Sequence, residues 1–85
     1  MKFRFTAHSL EQLVRRGLDR ALVDRVLERP GQEIEQRMGR RALQSRVHFP
    51  DGEYLVRAIV DRRAEPPTVV TVYRTRYIAK YWRQE

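Results

Sequence analysis

Between Ala42 and Asp61 the chain reads as two strands, Ala42–Phe49 and Glu53–Asp61, joined by Pro50-Asp51-Gly52. Asp-Gly between alternating apolar runs is a strong hairpin signal, because its residues tolerate the positive φ that tight turns between twisted strands demand. With Asp51-Gly52 as a two-residue turn, Phe49 faces Tyr54, Val47 faces Val56, Ser45 faces Ala58 and Leu43 faces Val60. That face is almost wholly apolar and should meet helices. The other face holds Gln44, Arg46 and His48 across from Ile59, Arg57 and Leu55, with Arg46 directly opposite Arg57. Like charges so placed repel mildly, and an anion between them would relieve the repulsion. A three-residue turn would instead carry Arg57 to the apolar face and bury its charge.

The remaining elements follow from periodicity and punctuation. Lys2–Phe5 alternates charge and aromatic, as a short strand does. Thr6 or Ser9 can cap a helix whose apolar stripe is Ala7, Leu10, Leu13 and Val14, and Gly17 stands where a glycine ends such a helix. Asp19 can cap a second helix that turns Leu22, Val23, Val26 and Leu27 inward and stops at Pro30-Gly31. Gln32–Met38 is a weak strand followed by a turn at Gly39. Thr68–Thr75 is a strand rich in β-branched residues, with Val70 and Val72 expected in the core and Thr71, Tyr73 and Thr75 on the face of Arg57. Tyr77–Arg83 reads as a short helical or irregular tail that packs Ile78, Tyr81 or Trp82 back on the rest. The order β-α-α-β-β-β-β predicts an α+β fold with an antiparallel sheet against two N-terminal helices. At 85 residues the chain suffices for one small domain, residues 1–85.

Composition narrows the partners. Lys plus Arg number 18 against 11 Asp plus Glu, a net charge of +7, and every cation except Lys2 and Lys80 is arginine. The guanidinium fork matches phosphate and stacks on bases, so an arginine surplus points to phosphate-bearing partners. Cysteine is absent, which excludes a disulfide-stapled scaffold and a thiolate metal site. Two histidines 40 residues apart make no metal site either, so no cofactor is expected. No apolar run approaches the ~20 residues of a membrane span, and the first residues lack the apolar stretch of a secretory signal. A cytoplasmic protein without a membrane partner is the expectation.

Four segments occur in a suggestive order: His8-Ser-Leu-Glu-Gln-Leu-Val-Arg-Arg16-Gly17-Leu18, Val26-Leu-Glu-Arg-Pro30, Thr71-Val-Tyr-Arg-Thr75 and Lys80-Tyr81-Trp82. In this the chain resembles an uncharacterised family of small bacterial and phage proteins within the RelE-like toxin superfamily, close to the BrnT type. The resemblance implies a RelE-like fold, metal-independent RNA cleavage as in characterised relatives, and neutralisation by an antitoxin protein. It also brings Lys80 and Tyr81 toward the site. At Gln12 the sequence departs from the family pattern, which has an arginine there.

Metal-independent RNA cleavage needs a base for the 2′-hydroxyl, an acid for the leaving oxygen and cations around the phosphorane. His8, in the first turn of a helix whose dipole favours neutral imidazole, is the candidate base. Arg57 and Arg46 form the expected phosphate clamp, and Tyr73 the acid or a stacking platform. Arg15, Arg16, Lys80 and Tyr81 complete the expected RNA-binding set, while Arg40-Arg41 and Arg62-Arg63 are further basic pairs. His48 reads as a solvated residue at a strand end. The expected activity is endoribonuclease toxin action on RNA, free or on the ribosome, held in check by a cognate antitoxin. The alternative is a non-catalytic RNA-binding or protein-interaction module that keeps the fold. A DNA-binding role ranks below both because no recognition-helix pattern is present.

Overall fold

The computed structural model describes residues 2–84. Along the chain run β1 (Arg4–Phe5), α1 (Ala7–Arg15), α2 (Arg20–Glu28), β2 (Gln32–Glu35), β3 (Arg40–Phe49), β4 (Gly52–Asp61), β5 (Thr68–Thr75) and α3 (Ile78–Tyr81). Both long helices begin at side-chain caps. Thr6 Oγ1 accepts from the Ser9 amide at 3.0 Å, and Asp19 Oδ1 accepts from the Ala21 amide at 3.3 Å. Helix α1 ends at Gly17, whose φ of +62° suits glycine. There the Leu18 amide donates to the Leu13 carbonyl and the Gly17 amide to that of Val14. This paired closure brings Leu13 and Leu18 together, and both enter the core.

The buried side of α1 is not the expected apolar stripe. Ser9, Gln12 and Leu13 face inward, whereas Val14 is 84% exposed and Leu10 is exposed as well. The cause lies in β5. Its pairing with β4 shifts between Ile59 and Val60, so Ile59 opposes Thr71, Val60 opposes Val69, and Val70 has no partner. At this bulge the Val72 amide donates to Gln12 Oε1 at 2.9 Å, and the Thr71 hydroxyl donates to the same oxygen at 2.6 Å. A buried backbone donor left without a partner is costly, and Gln12 meets that need by turning its side of the helix inward. The bulge also puts Val69 and Val72 in the core, rather than Val70 and Val72.

The five strands lie in the order β1-β5-β4-β3-β2. β1 runs parallel to β5 and the other pairs are antiparallel. The sheet is therefore mixed, not antiparallel throughout, and a third helix follows β5, so the order is β-α-α-β-β-β-β-α. The β3–β4 register also differs from expectation. Phe49 pairs with Gly52, Val47 with Tyr54, Ser45 with Val56 and Leu43 with Ala58. The turn is Pro50-Asp51, and Gly52 uses its φ of +133° as the first residue of β4. A slip of two residues keeps every side chain on its expected face. It does move partners: Arg57 pairs with Gln44 and Arg46 with Leu55. The predicted Arg46–Arg57 opposition does not exist.

On one face of the sheet Leu43, Ala58, Val60, Val69 and Val72 pack with Leu13, Leu18, Val23 and Leu27 as the core. The other face carries α3 and the residues after it. No described helix is long and apolar enough to cross a membrane.

Candidate functional site

On the α3 side the strand registers align Gln32, Gln44, Arg57 and Tyr73 as one row across β2, β3, β4 and β5. The row is hydrogen-bonded from end to end. Gln44 Nε2 donates to Gln32 Oε1 at 2.9 Å, Arg57 Nε to Gln44 Oε1 at 2.7 Å, and Arg57 Nη1 to the Tyr73 hydroxyl at 2.6 Å. The tail closes over it. Gln44 Nε2 also reaches the Tyr81 carbonyl at 3.2 Å, while Gln32 exchanges two hydrogen bonds with the Arg83 backbone. The Tyr81 ring lies 4.2 Å from Arg57 Cζ, and Trp82 sits against Gly31, where a Cβ would come within 3.0 Å of the indole.

Arg57 is thus only 6% exposed, yet it has no carboxylate among the described residues. Its hydrogen bonds go to neutral groups through Nε and Nη1, and Nη2 makes none to a described residue. No sealed side-chain polar atom lacks a partner among those residues, so Nη2 reaches solvent. Arg57 also lines a hollow of about 360 Å³, together with Gln36, Arg37, Met38, Arg40, Ile59 and Tyr73. Arg37 and Arg40 have no ion-pair or hydrogen-bond partner for their guanidinium groups among the described residues. Three arginines therefore line one concavity, with Asp61, the cross-strand neighbour of Arg40, as the acid that feels the Arg40 charge, and a concave cationic surface concentrates anions. Burial pushes the Tyr73 hydroxyl above the usual phenol range, against the opposite pull of Arg57. The phenol is therefore protonated at neutral pH and available as a proton donor.

A family model described as Domain of unknown function (DUF4258) matches residues 5–74. The chain belongs to that family. No curated protein and no solved structure matches significantly. The DUF4258 match takes in Gln44, Arg57 and Tyr73, whereas Tyr81 and Arg83, which cover the row, lie beyond it.

Against this DUF4258 geometry the expected site divides. Arg57, Tyr73 and Tyr81 come together. Lys80 is exposed next to them, its Nζ 5.3 Å from the Tyr81 ring. His8 is exposed on the first turn of α1, its side chain bonds to no described residue, and it is not among the residues lining the hollow. Arg15 and Arg16 are exposed at the far end of α1 and do not line the hollow either. Arg46 is held by Glu53 through two hydrogen bonds, at 3.0 and 3.2 Å. That pairing, together with the register, dissolves the expected clamp. His48 is exposed, with Nε2 3.9 Å from the same Glu53 carboxylate.

Arg37 is the residue of this candidate site that sequence reasoning missed; Arg40 figured there only as one of several basic pairs, and Gln44 only as a residue on the face of Arg57. One signal was present: Arg37 and Arg40 flank Met38-Gly39, and a tight turn there projects both arginines from one end of the sheet.

Proposed function

We propose that this protein binds single-stranded RNA, with one phosphate seated against Arg57 Nη2 and flanking phosphates held by Arg37 and Arg40. One observation carries the reading: a buried guanidinium without a carboxylate, one of whose nitrogens bonds to no described residue, belongs to a residue that lines a hollow together with Arg37 and Arg40. Burying a cation is unfavourable unless an anion compensates it. A phosphodiester supplies that anion, and its charge-assisted hydrogen bonds are about twice as strong as neutral ones. Exposed Tyr77 offers a face to an unstacked base, which favours a single strand over a duplex.

The test is RNA affinity across a salt series. Each phosphate contact contributes about −0.7 to the log–log slope for a single strand. Arg57→Gln should flatten the slope by about one contact and weaken binding about tenfold or more, the usual range for a hydrogen bond to a charged group. Arg46→Ala, which removes an arginine already paired with Glu53, should bind as wild type does. Salt-independent binding, or an Arg57→Gln protein with full affinity, overturns the reading.

A second reading, metal-independent RNA cleavage within a toxin–antitoxin-type pair of RelE-like proteins, is favoured by the 2.6 Å contact between Arg57 and Tyr73. Arg57 would stabilise the phosphorane and Tyr73 would protonate the leaving oxygen, with the RNA's own 2′-hydroxyl as nucleophile. The base would have to come from outside the hollow. Cleavage of this kind survives EDTA, spares all-deoxy strands and leaves a 2′,3′-cyclic phosphate. An antitoxin would act by covering the same arginines, since complementary charge speeds its association and blocks substrate together.

A further inference from the structure

The tight turn between antiparallel β2 and β3 requires positive φ at its central residues, and it places methionine where glycine or asparagine is usual. Met38 has φ +61° and Gly39 has φ +73°, and the Arg40 amide donates to the Arg37 carbonyl at 3.2 Å to close the turn. Glycine takes this left-handed region freely and asparagine tolerates it, but an unbranched apolar side chain gains nothing there and is strained by its Cβ. Gly39 is accounted for, because a Cβ would strike the Arg63 stem. The turn sets the backbone of Met38 but does not call for a methionine. Its side chain is 72% exposed and so adds little to the core. Met38 also lines the same hollow as Arg57, between Arg37 and Arg40, with Ile59 as the other apolar wall.

We infer that Met38 is a base-contacting residue: its thioether stacks against the nucleobase next to the phosphate held at Arg57. The inference rests on the RNA-binding reading and adds a source of base dependence to it. The Tyr81 and Tyr73 rings already face the Arg57 guanidinium, at 4.2 and 5.8 Å, so their cation-binding faces are occupied from within. Met38 and Ile59 are the apolar surfaces left in the hollow for a base. A flexible, polarisable thioether makes favourable contacts with aromatic rings of any base, and apolar side chains, methionine among them, press on bases in some nucleic-acid complexes. The arginines on either side hold backbone, which carries no base information, so the division of labour within one turn is backbone at Arg37 and Arg40 and base at Met38.

The experiment compares wild type, Met38→Gly and Met38→Asn on two strands of equal length, a uridine oligomer and an abasic ribose-phosphate oligomer. Thermal unfolding of all three proteins is measured alongside. Both substitutions suit the left-handed backbone, so the midpoint should stay level or rise. Wild type should prefer the uridine strand. Both variants should bind that strand about threefold to tenfold more weakly, and should bind the abasic strand as wild type does. Variants that match wild type on uridine overturn the inference, as does an equal loss on both strands, which would make Met38 a support for the arginines. Wild type that binds neither strand overturns the RNA-binding reading and this inference with it, an outcome visible before any variant is measured.

Discussion

Leu43 and Gln44 are neighbours on β3, both fully buried, on opposite faces of the sheet. Leu43 joins the core formed with α1 and α2 and needs only to be apolar and of the right volume. Gln44 holds a row of directional bonds in place, to Gln32, to Arg57 and to the Tyr81 carbonyl. One face is closed: each side chain in it is satisfied by its neighbours. The other is equally shielded but chemically open at one atom, Arg57 Nη2. Equal burial on two faces thus serves stability on one and reception on the other, and only the bonding of individual atoms tells them apart.

Leu43→Ala should press hardest on this contrast. Truncating a fully buried leucine removes about 2–5 kcal/mol of stability, a large share of the ~5–15 kcal/mol of a typical domain. The denaturant midpoint should fall steeply, while whatever remains folded binds RNA as wild type does. Loss of RNA affinity in the folded fraction would mean that the two faces are not independent.

Gln44→Leu keeps the volume and removes the bonds. Arg57 Nε and the Tyr81 carbonyl lose a partner, which costs on the order of 1–3 kcal/mol per group left buried and unsatisfied. The expected result is a smaller drop in midpoint than for Leu43→Ala, together with a released Arg57 and altered RNA affinity. A Gln44→Leu protein with less stability but unchanged affinity and salt slope would detach the row from binding.

The smallest effect expected is the response to alkali. Tyr73 has its folded pKa raised above the unfolded value, chiefly by burial. Stability linked to it is therefore fully present below the unfolded pKa, about 10, and is lost as pH rises through the folded value. Unfolding followed from pH 8 to 11 should show a decline that Tyr73→Phe lessens, and an identical profile in the two proteins would contradict it.

Much of this architecture was legible in the sequence, for reasons that depend on local chemistry. Thr6, Asp19 and Gly17 act at helix ends through contacts within a few residues, so composition and spacing revealed them. The faces of β3 and β4 were readable because a period of two survives a slip of two residues. Long-range exceptions were not readable. The inward side of α1 is set by a bulge about 60 positions away, where the Thr71 hydroxyl and the Val72 amide require Gln12. No helical periodicity encodes that demand, so Leu10 and Val14 looked like core. Arg46 failed as a clamp for a similar reason, since the observed register leaves it within reach of Glu53. Arg57 and Tyr73 were found because alternation put them on one face. Arg37 was missed, and Arg40 was left among the basic pairs, because a weak β2 pattern gave no reason to treat their turn as part of that face.

The parallel pairing of β1 with β5 also has a consequence in time. Arg4 pairs with Thr68 and Phe5 with Val69, so β1 leaves the ribosome long before the strand it pairs with. The β3–β4 hairpin has only its own short loop to close and can form early, whereas docking β1 and α1 requires closing nearly the whole chain, an entropic cost that grows with loop length and slows folding. Until β5 is synthesised, the bulge that engages Gln12 does not exist. Nascent chains halted before Thr68 should therefore protect the hairpin amides from hydrogen exchange and leave those of α1 open, with the N-terminal quarter becoming protected only after β5 has emerged.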